Sequence, residues 1–225
     1  MTRARSCRAV LVAVLLTLCA GGLAGCQRTP THSQRVAAGW SRGLRLGTAG
    51  LNDRPALTTD PQGTNTYIAW VGKADDGGQR IHFLRLDARG RVVASRDLAL
   101  RTTSPTRVRL LMDPDGALQL TWLDQRDGAR RLLHLLLSGS GQALSEPEPV
   151  SLADVKATSY ALAANGAGEL EVVWSAREGQ GAGLYHTRLA PDGQVLAPNL
   201  NLRASAFGPA VRIDHRGIVH LVWQE

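Results

Sequence analysis

The sequence predicts an all-β chain of three four-stranded antiparallel units and a partial fourth, stacked as the blades of a β-propeller. Three observations lead there. Tryptophans recur at Trp70, Trp122, Trp174 and Trp223, with separations of 52, 52 and 49 residues. Each follows an Asx and, three residues after that Asx, a glycine: Asp60 and Gly63, Asp113 and Gly116, Asn165 and Gly168, Asp214 and Gly217. Apolar residues alternate with a period of two, as in Leu118, Leu120 and Trp122 or Leu170, Val172 and Trp174, which is one face of a strand and not of a helix. A unit of this size has one apolar sheet face too many, so it buries that face only against a neighbouring unit.

The repeat domain runs over 39–225, with units at 55–104, 107–154 and 159–207 and the partial one at 209–225. In each unit the first strand ends at Asx-x-x-Gly, where the Asx side chain caps a tight turn and glycine accepts a positive φ. The second strand carries the tryptophan, and its other face is mixed, with Tyr67, Gln119, Glu171 and His220. Glycine precedes tryptophan by six residues in three copies and by seven in the first, which reads as a bulge in the first unit. Hairpins follow around Asp76-Gly77, Asp127-Gly128 and Glu178-Gly179. The third strand then holds His82, His134 and His186, each twelve residues after its tryptophan and therefore expected at equivalent places. Gly90, Gly141 and Gly193, seven or eight residues further on, turn the chain into a fourth strand. A last element returns as Leu98-Ala99-Leu100, Val150-Ser151-Leu152 and Leu200-Asn201-Leu202. Its earlier copy, Leu44-Arg45-Leu46, would let the N-terminal segment close the ring as a clasp; a longer chain or another subunit are the competing ways to complete the fourth unit.

The ends of the chain carry a different message. Residues 1–8 hold Arg3, Arg5 and Arg8 and no acid, and residues 9–20 form a short apolar run. Spanning a hydrocarbon slab takes about 20 apolar residues in a helix, so this run reads as an export signal and not as a permanent span. Leu23-Ala24-Gly25-Cys26 ends it. This leader, residues 1–25, resembles that of bacterial lipoproteins, and the resemblance implies a diacylated Cys26 as the new N-terminus. Acyl chains, each burying CH₂ groups at about 0.8 kcal/mol, would hold the protein to the cell membrane or outer membrane. Residues 26–38 are polar, contain Pro30 and read as a flexible tether. Cys7 and Cys19 leave with the leader, so no disulfide or thiolate metal site is expected in the mature domain.

Charge is a weak indicator here. The chain has 26 Lys+Arg against 19 Asp+Glu, three of those arginines lie in the leader, and no basic stripe marks a nucleic-acid partner. The Asx, glycine and Trp-ending strands over 55–225 resemble bacterial sialidase-like propellers, although the spacing departs from the Ser-x-Asp-x-Gly-x-x-Trp form. In that family, hydrolysis uses an arginine triad, a Tyr–Glu pair and an acid Asp. Arg85, Arg109, Arg188 and Arg212 stand in no motif that assigns those roles, and Tyr67, Tyr160 and Tyr185 fall at strand-packing positions. No catalytic residue, cofactor or metal is therefore expected, and the chain reads as a binding or assembly module and not an enzyme. The tryptophans are expected as core wedges, and the histidines as inter-blade packing. Equivalent histidines around a ring sit too far apart for ligand distances of ~2.0–2.1 Å to one ion. The expected contact surface is the loops at 71–80, 123–130 and 175–183, with an envelope protein first and a polysaccharide second as partner.

Overall fold

The computed structural model describes residues 43, 45–47, 54–74, 76–126, 128–177 and 181–225. The leader, Cys26, the tether, Trp40, Leu44, and Asp75, Asp127, Glu178 and Gly179 at the hairpin tips lie outside the described residues. The unit from Gly47 to Glu225 holds the repeats. Its first sheet is β1 (Ala56–Thr59), β2 (Asn65–Lys73), β3 (Gln79–Asp87) and β4 (Val92–Asp97). The second is β5 (Thr106–Met112), β6 (Leu118–Arg126), β7 (Ala129–Leu137) and β8 (Glu148–Pro149). The third is β9 (Ser159–Ala164), β10 (Leu170–Ala176), β11 (Gly183–Leu189) and β12 (Val195–Arg203). β13 (Phe207–Ile213) and β14 (Val219–Gln224) form a two-stranded fourth. Every pairing is antiparallel between strands consecutive in sequence, so three full blades and a partial fourth are present, as the repeat requires.

All four Asx-x-x-Gly turns are built alike. The glycine N–H donates to the Asx carbonyl at 2.9–3.1 Å, and the Asx side chain accepts the N–H four residues on, at 2.6 Å from Thr64, 2.8 Å from Ala117, and 3.0 Å from both Glu169 and Ile218. The Thr64 hydroxyl and the Asn65 amide hold the Asp60 carboxyl down to about 2, the largest such effect among these turns. The glycines sit at φ of +66° to +87°, which a side chain with a Cβ disfavours.

The extra residue of the first unit is not a bulge. β1 and β2 pair without interruption, and the turn itself is longer: the Asp60 N–H reaches the Asn65 carbonyl, where the Asp113 N–H reaches that of Ala117. Bulges fall instead at the start of β5, between Thr106 and Arg109, and of β13, between Phe207 and Ala210.

Packing follows from the alternation. The tryptophan-bearing face of each blade lies on the opposite face of the blade before it. Leu118, Leu120 and Trp122 pack on Tyr67, Ala69 and Phe83; Leu170, Val172 and Trp174 pack with Leu123 and Leu132; Val211 and Leu221 pack with Ala163, Val173 and Leu184. Trp70, Trp122 and Trp174 are buried, while Trp223 is 41% exposed, with no third strand beside β14 among the described residues. Trp174 also has a polar partner: its Nε1–H donates to Asn199 Oδ1 at 2.7 Å, Thr187 Oγ1 donates to the same oxygen at 2.8 Å, and Asn199 Nδ2 donates to the Val150 carbonyl of the preceding blade at 3.0 Å. The Trp122 indole N–H is buried without an acceptor. Asn199→Leu leaves the buried indole of Trp174 in the same position, and a loss of about 2 kcal/mol is expected in chemical denaturation; an unchanged midpoint would show that the clamp contributes nothing.

The third copy of the last element also differs. Leu98 and Val150 are buried, and their N–H groups donate to the Ile81 and Leu132 carbonyls, whereas Leu200 and Leu202 lie exposed on β12. Bulges between Arg188 and His186 and between Tyr185 and Leu184 in the β11–β12 pairing shift that strand against its counterparts.

Candidate functional site

The first strands of successive blades meet one another. β1 adjoins β5, and β9 adjoins β13, while β5 and β9 are joined through Tyr160. These strands form the inner side of the array, and the hairpins β2–β3, β6–β7 and β10–β11, with the expected contact loops, all lie at the same end of their sheets. The inner strands carry Arg107, Arg109 and Arg212, all exposed, and no carboxylate, since each ends just before its Asx turn. Arg107 stands in the left-handed region at φ +54°, one of two described non-glycine residues there. The bulge that puts it there places Arg107 and Val108 against a ladder that resumes at Arg109↔Thr121. The Tyr160 hydroxyl of β9 donates to the Arg107 carbonyl and shares that donation with the Thr121 carbonyl at 2.9 Å. Arg109 Nη1 donates to the Val108 carbonyl at 3.3 Å, which orients the guanidinium beside the bulge.

The three histidines do not occupy equivalent places. His134 lies opposite Thr121 and His186 opposite Val173, but in the first blade it is Phe83 that lies opposite the matching Ala69. His82 instead pairs with Trp70 and stacks on it at 5.2 Å, the role that Tyr185 plays for Trp174 at 4.3 Å. The cause is a first hairpin one residue longer, since Trp70 pairs twelve residues ahead and Trp122 and Trp174 eleven. The spacing to the following glycine carried this signal: it is seven residues from Phe83, His134 and His186, and eight from His82.

The same position then does three different things. Phe83 is covered by the turn of the next blade at Gly141. His134, also buried, donates from Nε2 to Gln119 Oε1 at 2.6 Å, and Gln119 Nε2 donates to the Pro191 carbonyl of the next blade at 2.9 Å and to Asp113 Oδ2 at 3.1 Å. Burial pushes the His134 imidazole down to about 4. In the third blade, glutamate replaces the amide: Glu171, with a side chain 3% exposed, bonds His186 Nε2 and accepts from Arg188 Nε at 2.8 Å. In the fourth, His220 takes the Glu171 position and bonds Asp214 Oδ2 at 3.0 Å. Among the described residues no group of three His, Cys, Asp or Glu side chains is arranged to hold a metal ion.

No protein-family model and no curated protein sequence matches the chain. Solved structures do. An endo-arabinase from Bacteroides thetaiotaomicron aligns at 11% identity and TM-score 0.51, covering 75% of this chain and 68% of the arabinase. The fold is that of a β-propeller. A thermostable family-43 glycoside hydrolase aligns at 13% identity and TM-score 0.49, covering 75% of this chain and 64% of its own. An ulvan lyase aligns at 14% identity and TM-score 0.49, covering 80% and 53%. This propeller therefore spans less than two thirds of the latter two proteins. The expectation that the chain is not an enzyme is corrected by the first of these neighbours: it rested on missing motifs, and the solved structure that shares the fold at TM-score 0.51 is an endo-arabinase.

Proposed function

We propose that this chain is a carbohydrate-directed β-propeller working outside the cytoplasmic membrane, held to a bilayer through a lipid on Cys26, with a polysaccharide as its ligand. The observation that carries the reading is the propeller fold shared with an endo-arabinase over 75% of the chain. The inner strands and the loops at 71–80, 123–130 and 175–183 supply the contact surface, because the apolar strand faces are consumed by blade packing. Polysaccharide thereby takes precedence over the envelope protein that the sequence placed first.

The test is a panel of arabinan, mannan, galactan and an acidic polysaccharide, each read for retention of the full chain and for chain cleavage. Retention by or cleavage of at least one is expected, and inertness towards all of them would end this reading. The anchor is tested separately: Cys26→Ser is expected to move the chain from the membrane fraction to the soluble or secreted one. A membrane-bound Cys26→Ser chain would rule out lipid attachment there.

A further inference from the structure

The third Asx turn departs from the other three. Where they place Asp60-Pro61, Asp113-Pro114 and Asp214-His215, it places Asn165-Gly166, the one Asn-Gly pair in the chain. The turn does not require that glycine: its φ lies outside the left-handed region, and a Cβ built on it meets nothing within 4 Å. Gly166 is exposed, so water reaches it. The asparagine is explained by its partner. The Asp60, Asp113 and Asp214 carboxylates each accept from a side-chain donor, Asn65 at 2.7 Å, Gln119 at 3.1 Å and His220 at 3.0 Å. Asn165 reverses the polarity and donates from Nδ2 to Glu169 Oε2 at 2.8 Å.

An asparagine followed by glycine is open to succinimide formation, because glycine has no Cβ to obstruct attack by its own peptide nitrogen. The geometry of this turn favours the step. Asn165 Oδ1 accepts the Ala167 and Glu169 N–H groups, both at 3.0 Å. The first of these bonds closes an Asx turn, which folds the side-chain carbonyl back over the Gly166 nitrogen. Together the two donors polarise that carbonyl and face the oxyanion that addition creates.

We propose that Asn165-Gly166 is a self-modifying site, at which the Gly166 nitrogen attacks Asn165 Cγ and the side-chain amide leaves as ammonia. The N–Cγ bond forms, the Cγ–Nδ2 bond breaks, and the Gly166 N–H proton departs with the amide. Water then opens the cyclic imide. Hydrolysis at Cγ leaves aspartate; hydrolysis at the main-chain carbonyl leaves isoaspartate, with one carbon added to the backbone. Aspartate sets a second carboxylate against that of Glu169, which like-charge repulsion disfavours. Isoaspartate lengthens a turn without slack, since Gly168 is buried and a Cβ on it would stand 3.3 Å from Pro114 Cδ of the preceding blade and from Pro191 Cγ. Either product loosens the third turn, and the site is independent of the carbohydrate reading.

The full chain is incubated in mildly alkaline buffer, with and without urea, and the tryptic peptide 157–177, in which Asn165 is the one amide side chain, is followed by mass spectrometry for the replacement of NH₂ by OH. Conversion is expected to be at least as fast in the folded chain as in urea, and severalfold faster than at Asn199 or Asn201, each followed by leucine. Gly166→Val is expected to slow it severalfold at a retained β-sheet circular dichroism spectrum, because the turn has room for a side chain there. A folded chain that converts more slowly than the unfolded one, or a Gly166→Val chain that converts as fast as the parent, would overturn the site. Asn165→Asp is expected to lower the folding equilibrium constant about tenfold. Adding Glu169→Gln is expected to recover most of that loss, since an amide donor then faces the carboxylate as Asn65 faces Asp60. An Asn165→Asp chain as stable as the parent would overturn the loosening of the turn.

Discussion

Gly141→Ala is expected to destabilise the protein by about 3 kcal/mol or more, the largest single effect of any alanine substitution in the repeat turns. Two costs add. Gly141 sits at φ +76°, where a Cβ is strained, and a Cβ built there meets the ring of Phe83, with Cε1 at 2.7 Å and Cγ at 2.9 Å. Phe83 is fully buried between the first two blades, so its ring has no free volume into which to move. Gly63→Ala separates the two costs, because Gly63 has a similar φ of +66° and nothing within 4 Å of its Cβ. It is expected to lose about 1 kcal/mol from backbone strain alone. Equal denaturation midpoints for the two variants would show that the turn of the second blade does not press on Phe83.

Stability is expected to fall by about 3 kcal/mol as the pH drops from 6.5 to 4, through His134 alone. Burial holds the folded-state imidazole down at about 4, against 6.5 for the free group. The unfolded chain therefore takes up a proton first on acidification. The contribution is complete above 6.5 and is lost through the window down to about 4. The Asp60 carboxyl, held at about 2, titrates below that window, so the two can be told apart. His134→Phe is expected to flatten the pH dependence between 6.5 and 4, since Phe83 shows that the position takes an aromatic ring under the turn of the next blade. Its stability at pH 7 drops modestly, because Gln119 loses its donor. Denaturation midpoints measured across the window check both statements, and an unaltered slope in His134→Phe would assign the acid loss to other groups.

The contrast between the second and third blades shows how one pair of positions is tuned by what lies over it. His134 and Gln119 are sealed by the turn of the third blade: Gln119 reaches the Pro191 carbonyl, and a Cβ on Gly193 would stand 2.9 Å from His134 Cε1. A neutral amide suits that dry setting. No corresponding turn of the fourth sheet lies over His186 among the described residues. There the partner is Glu171, and Arg188, 44% exposed, joins the pair. A buried carboxylate needs hydrogen-bonded and charged partners, and it has the His186 ring and the Arg188 guanidinium.

Much of this architecture is legible in the amino-acid order by itself. Period-two alternation, the four Asx-x-x-Gly turns and the tryptophan spacing determine the strands, the turns and the blade count, because each depends on local backbone preferences and on a face that only a neighbour can bury. The face on which each third-strand histidine falls was set by the length of the hairpin before it, which the tryptophan spacing alone did not reveal. Adding one residue to the first hairpin reverses the parity of everything after it, so equal spacing from Trp70 and Trp122 puts His82 and His134 on opposite faces. The candidate site was equally invisible: Arg107, Val108 and Arg109 read as an ordinary strand until Tyr160, more than fifty residues away in the chain, arrives from the next blade and holds the bulge. Hydrogen bonds between blades join residues that no sequence pattern couples, and only the folded chain brings their partners together.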